Sequence, residues 1–132
     1  MDVNLPEVVA EVSALFERYE KALTTNDVET LTALFRNAPE TIRYGIGENL
    51  YGADEIAAFR HARPNIDLAR TIERTVITTY GRACATASTL FHRESMGPNR
   101  IGRQMQTWVR FPDGWFIVAA HVSVIDRPAE AR

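Results

Sequence analysis

From Leu68 onward the chain stops repeating its apolar residues at helical spacing and begins to alternate them, an alternation it keeps to Ile125. Residues 68–80, 83–93, 100–111 and 115–125 form four such runs, rich in the Val, Ile and Thr that suit a pleated surface. Gly81, then Met96-Gly97-Pro98-Asn99, then Pro112-Asp113-Gly114 separate them, and each separation has the length of a hairpin turn. Strands joined this tightly pair as antiparallel neighbours, because a parallel pair needs a crossover of a dozen or more residues. The helical segments all precede these runs, so the expected class is α+β rather than an alternating parallel fold.

Ahead of the sheet, Asn4-Leu5-Pro6-Glu7 reads as a capped helix start. The helix should run to about Thr24, with Val8, Val12, Leu15, Phe16, Tyr19 and Leu23 on one face. Asn26-Asp27-Val28-Glu29 opens a short second helix through Phe35. Pro39 ends it, residues 40–46 are strand-like, and residues 47–49 form a turn. A third helix starts at Gly52-Ala53-Asp54-Glu55, and Pro64 stops it near Arg63. On that helix Arg60 is expected to snorkel over the edge into solvent. The faces of residues 68–80 cannot be assigned, because Arg70 and Arg74 share one parity, Glu73 has the other, and apolar residues occupy both.

Composition enters mainly by exclusion. A chain of 132 residues makes one domain, spanning 1–132, that can surround a small ligand. Its formal charge of -2 argues against nucleic acid as a partner, and no apolar run approaches the roughly 20 residues that cross a bilayer. Residues 1–6 lack a basic stretch followed by an apolar core, so no secretory signal is expected. Cys84 is the sole cysteine, which rules out an intrachain disulfide and makes the cytoplasm the expected location. Every basic residue except Lys21 is an arginine, the side chain whose planar fork matches a carboxylate.

The stretch Arg43-Tyr44-Gly45-Ile46-Gly47 sets a cation beside two positions without side chains, and this suggests room for a small anionic ligand. Simple alternation in the last strand puts Trp115, Ile117, Ala119, His121 and Ser123 on the inner face. Arg103, Met105 and Thr107 of the preceding strand share that face, so Arg103, His121, Ser123 and Arg43 form the expected anion site, with Arg63 at the third helix's end. The other face, with Phe116, Val118 and Val122, is apolar and is expected to be covered in a homodimer through the convex side of the sheet. Neither a metal nor a cofactor is expected. The three histidines share no helix face with a second ligand, and Gly45-Ile46-Gly47 leads into a turn rather than a helix. A Ser–His–Asp hydrolase is also disfavoured, since His121 and Ser123 on one strand stand ~7 Å apart.

The order helix, helix, strand, helix and four long strands, with Gly102-Arg103-Gln104-Met105-Gln106-Thr107-Trp108-Val109-Arg110 and Gly114-Trp115-Phe116-Ile117-Val118-Ala119-Ala120-His121-Val122-Ser123, resembles the SnoaL-like branch of the nuclear transport factor 2-like superfamily. Residues 43–52 and 69–81 resemble a narrower family of small proteins of bacterial nitrogen catabolism, which act in the oxalurate and cyanuric-acid pathways beside amidase-signature hydrolases. The resemblance implies a cone-shaped fold, with three helices packed on a strongly curved, mostly antiparallel sheet around a central pocket. It also implies a dimer through the sheet and an amidase partner. The catalytic pair proposed for the dicarboxyurea-acting relative maps onto Tyr19 and Arg43, with Arg63, Arg103 and His121 left to bind the far end of the ligand. Ketosteroid-isomerase chemistry needs a pocket carboxylate, and none of the inner-face strand positions is Asp or Glu; Glu48 and Glu73 are the residues that could supply one. The expected function is decarboxylation or amide hydrolysis of an N-carboxylated urea or a related small di-acid, the alternative being a non-catalytic accessory subunit for a neighbouring amidase.

Overall fold

The computed structural model describes residues 1–63 and 68–128. Three helices, α1 (Pro6–Thr24), α2 (Val28–Leu34) and α3 (Ala53–Ala62), lie on one side of a six-stranded sheet. Its strands are β1 (Ile42–Tyr44), β2 (Asn49–Tyr51), β3 (Thr71–Tyr80), β4 (Cys84–His92), β5 (Arg100–Phe111) and β6 (Gly114–Asp126), in the spatial order β2-β1-β6-β5-β4-β3. The meander from β3 to β6 is antiparallel throughout, as hairpin-length connections require. Strand β1 joins the far edge of β6 in parallel, with Arg43 beside Ala120.

The core forms where the apolar stripe of α1 meets the inner face of the sheet. Val12, Phe16 and Tyr19 pack with Leu31 of α2 and with Ala85, Ala87, Trp108 and Ile117 of the strands. Each large side chain buried there contributes about 1.5–3 kcal/mol by leaving water. Small residues on β4 leave room for Trp108, which has no solvent exposure and donates its indole N–H to Gln106 Oε1 at 3.0 Å.

Several boundaries differ from the sequence reading. Asn4 does not cap α1; it adopts φ 61° and exchanges hydrogen bonds with the Thr79 backbone, both at 2.9 Å, tying the N-terminal segment to β3 at the sheet edge. Asp27, rather than Asn26, caps α2 by accepting from Thr30 N at 3.2 Å. Asn49, expected in the turn, instead opens a strand with residues 50 and 51, because β2 folds back onto β1 through a bond from Gly45 N to Glu48 O. Pro64, expected to end α3, lies outside the described residues; α3 itself ends at Ala62. Strand β3 begins at Thr71, not at residue 68.

The difference with the largest effect is a bulge in β6. Thr107 pairs with Ala119 while Trp108 pairs with Ile117, so Val118 is an extra residue on one strand. Side-chain parity therefore inverts at that point. Trp115 and Ile117 face the core, and beyond the bulge it is Ala120 and Val122 that face inward, while His121 and Ser123 turn outward.

Candidate functional site

A cavity of about 190 Å³ opens between α1, the β1–β2 hairpin, α3 and the inner face of the sheet. Among the described residues that line it are Arg43, Arg63, Arg70 and Arg93, against a single carboxylate, that of Glu48. Tyr19, Phe59, Gln104 and Val122 complete its walls. A larger groove of about 480 Å³ runs along α2, α3 and the β5–β6 turn, but its guanidinium, Arg36, stacks on Phe111 at 3.7 Å and its charged neighbours are Asp54 and Asp113. Of the two, only the smaller cavity gathers more than one guanidinium among the described residues.

Arg43 is carried inward because β1 pairs in register with β6, which places it beside Ala120 on the inner face, and it is 8% exposed. Its Nη1 donates to Glu48 Oε1 at 2.8 Å, while its Nε has no partner among the described residues. Glycine at position 45 permits this pair: a Cβ there would stand 1.7 Å from Glu48 Oε1 and 2.9 Å from Arg43 Nη1. Phe59 of α3 offers its ring to two cations, with Arg43 and Arg63 at 5.6 and 5.9 Å from its centroid.

Among the described residues, guanidinium groups outnumber carboxylates in the cavity wall. Burial holds the Arg63 guanidinium below its usual pKa, the adjacent Arg43 adds to this, and Tyr19 and Glu48 oppose it. Burial does the same to Arg93, with Arg70 as the next cause. Arg60 lies behind the cavity, 1% exposed, its ring partner Phe35 at 5.0 Å and none of its three guanidinium nitrogens hydrogen-bonded. Burial lowers its pKa most, the nearby Tyr19 phenol resists this without making a well-aligned hydrogen bond, and Arg43 and Arg63 push it down further. The Tyr19 side chain is thus the shared neighbour of Arg60, Arg63 and Arg93. The buried polar atoms on the cavity wall without partners are all donors: Arg43 Nε, Arg63 Nε and Nη2, and Gln104 Nε2. A wall of unsatisfied donors accepts a ligand that presents oxygens.

The structure brings Tyr19, Arg43 and Arg63 together here. It does not bring Arg103, His121 and Ser123 to them. Arg103 and His121 are exposed on the opposite face of the sheet, where Arg103 Nε donates to Ser123 Oγ at 3.1 Å and His121 packs edge-on against Tyr44 at 5.8 Å. The bulge at Val118 is the reason, because alternation counted from Trp115 is one residue out of phase beyond it. For the same reason Val122, expected on the convex face, lines the cavity instead. Arg60, expected in solvent, is buried.

The sequence reading passed over Gln104 and Arg93 as site residues and left the orientation of Arg70 open; all three line the cavity. Burial of Trp108 could have revealed Gln104, since both stand on one parity of β5. Of the two carboxylates left open, Glu48 lines the cavity, whereas Glu73 faces Arg127 at 3.6 Å on the surface. No group of three or more His, Cys, Asp or Glu that could hold a metal occurs among the described residues, and no helix among them is long and apolar enough to cross a membrane.

Comparison with known proteins gives the fold a family. A ketosteroid isomerase-like protein from Erwinia carotovora atroseptica, 17% identical, superposes with a TM-score of 0.72 over 92% of this chain and 99% of that one. At that identity the likeness shows the fold alone, the cone shared by nuclear transport factor 2-like and cystatin-like proteins. A Burkholderia xenovorans protein with a cystatin-like fold is 49% identical, with a TM-score of 0.91 over 97% of this chain and 99% of that one. A Pectobacterium atrosepticum protein of unknown function, from the DUF3225 family, is 59% identical, with a TM-score of 0.90 over 95% of this chain and 96% of that one. Comparison with curated proteins yields no match. The AtzH-like family model matches residues 1–128, and the chain belongs to the AtzH-like family.

Proposed function

We propose that the protein is a small-molecule enzyme of nitrogen catabolism that removes a carboxyl group from an N-carboxylated urea such as dicarboxyurea. The observation that carries this reading is that the buried polar atoms left without partners on the cavity wall are all donors, on a wall where, among the described residues, four arginines meet the one carboxylate of Glu48. A di-acid of few atoms suits both the charge and the volume of about 190 Å³.

The chemistry asks little of the protein. The bond between nitrogen and the carboxylate carbon breaks, carbon dioxide departs, and the electron pair stays on nitrogen, which takes a proton. Tyr19 supplies that proton and recovers it from water. Arg43, with Arg63 beside it, holds the carboxylate that is retained. An ion pair to the departing carboxylate would oppose its conversion to neutral carbon dioxide, so the held group and the lost group are different ends of the ligand. Enclosure by Phe59 and Val122 fixes the ligand's orientation and limits water.

Release of carbon dioxide from dicarboxyurea generated in situ tests the reading. Tyr19→Phe and Arg43→Ala should each lose on the order of 100-fold or more in rate, the scale of a general acid or an oriented ion pair. Unchanged turnover in both variants would overturn the assignment. A wild-type protein that binds the compound without accelerating its breakdown would replace the enzyme with an accessory ligand carrier for an amidase.

A further inference from the structure

Gln104 sits on β5 opposite Val122, 2% exposed, in the wall of the cavity. Arg70 Nη2 lies 3.0 Å from its Oε1. An arginine has donors and no acceptor, so the amide atom facing it must be the oxygen, and the orientation of this glutamine is settled by chemistry. Its NH2 group points the other way and has no partner among the described residues. Arg70 cannot readily turn aside to let the amide flip. Glu20 accepts from both its Nε, at 3.2 Å, and its Nη2, and its guanidinium stacks over Phe91 at 4.6 Å. The relay from Glu20 through Arg70 to Gln104 thus fixes one neutral, unpaired donor on a residue of the cavity wall.

This donor differs from the others in kind. Arg43 and Arg63 are cations that call for full negative charge, whereas Arg70 is already matched by Glu20, so the ground beside Gln104 suits a partial charge. We propose that Gln104 is a specificity-determining residue, its locked amide N–H donating to a neutral carbonyl oxygen of the ligand while Arg43 holds the carboxylate. A ligand with a carboxylate and a urea or amide carbonyl satisfies both points; a plain carboxylate leaves Gln104 Nε2 buried and unpaired. Sites that hydrogen-bond one substrate group reject analogues lacking it, because the buried partner is then left unsatisfied.

The inference rests on Arg43 as the carboxylate seat, but not on any turnover, and binding alone tests it. Two stable probes of equal chain length are suitable: N-carbamoylglycinate, which has the urea carbonyl, and pentanoate, which does not. By calorimetry the wild-type protein should prefer N-carbamoylglycinate, and Gln104→Met should weaken that probe roughly ten-fold while leaving pentanoate unchanged. In the wild-type protein, the side-chain amide resonances of Gln104 should move with N-carbamoylglycinate and stay in place with pentanoate, a measurement that does not depend on the variant folding. Equal loss for both probes, no loss for either, or amide resonances that ignore the carbonyl would overturn the role of Gln104, even with decarboxylation intact. Absence of binding by both probes to the wild-type protein would overturn the carboxylate seat and this inference together. Loss of the decarboxylase reading with the probe preference retained would leave Gln104 in its role.

Discussion

On the proposed carboxylate seat, Glu48 occupies the place at Arg43 that a ligand's carboxylate would take. Its carboxylate bonds Arg43 Nη1 at 2.8 Å and also accepts from the backbone of Gly47 at 3.2 Å, so the hairpin turn itself holds it there. A ligand must therefore displace it or share the guanidinium with it. Glu48→Gln should strengthen pentanoate binding roughly five-fold, the scale of one half-buried ion pair no longer competing. Gly45→Ala should act in the same direction, since its methyl group would fall on the Glu48 carboxylate, at the flexible end of a side chain that can move away. Titration calorimetry checks both, and weaker binding in both variants would make Glu48 part of the ligand seat rather than its competitor.

Strands β4 and β5 support the other end of the cavity through one ring. Phe91, wholly buried, lies over Gly102 on the neighbouring strand, and Arg70 and Arg93 stack on it at 4.6 and 5.2 Å. A Cβ at position 102 would come within 2.2 Å of that ring. Gly102→Ala should thus lower stability by about 1–3 kcal/mol through overpacking, measurable by denaturant unfolding, and should displace both arginines. The elements were largely legible in the sequence because their ends carry chemistry: glycine or proline stands at each turn of the meander, and α1 shows its stripe. The parity of β6 was not. From Trp115 to Val122 both faces of that strand are nearly all apolar, except at His121, so alternation has no contrast with which to report an inserted residue. The bulge at Val118 left no mark, and Arg103, His121 and Ser123 were assigned to the wrong side. Tyr19 was legible because it falls on the apolar stripe of α1, and Arg43 because two glycines close behind it leave room beside its guanidinium. Arg60 was misread because helical spacing gives its direction and says nothing of how deep α2 and Phe35 would cover it.

At the scale of the whole molecule, the outer face of the sheet remains to be accounted for. Met105 is 57% exposed and Val76 is 55% exposed there, beside half-buried Phe116 and Val118. We propose that a second copy covers this face, which now carries His121, Ser123 and Arg103 as interface residues rather than ligand contacts. Light scattering should give twice the 14.9 kDa chain mass, and Met105→Lys should shift the mass toward the monomer. A monomer at micromolar concentration would refute the assembly. The Glu48 counter-ion has one more consequence, for the protein's response to its medium. A charge tethered a few residues from its partner has a fixed effective concentration that dilution cannot reduce, and small dissolved ions compete with it poorly. Exchange of one carboxylate for another at Arg43 also leaves the local charge count unchanged. Ligand affinity at Arg43 should therefore vary less with ionic strength than that of a bare arginine pocket, and small dissolved anions should displace Glu48 from that guanidinium only weakly.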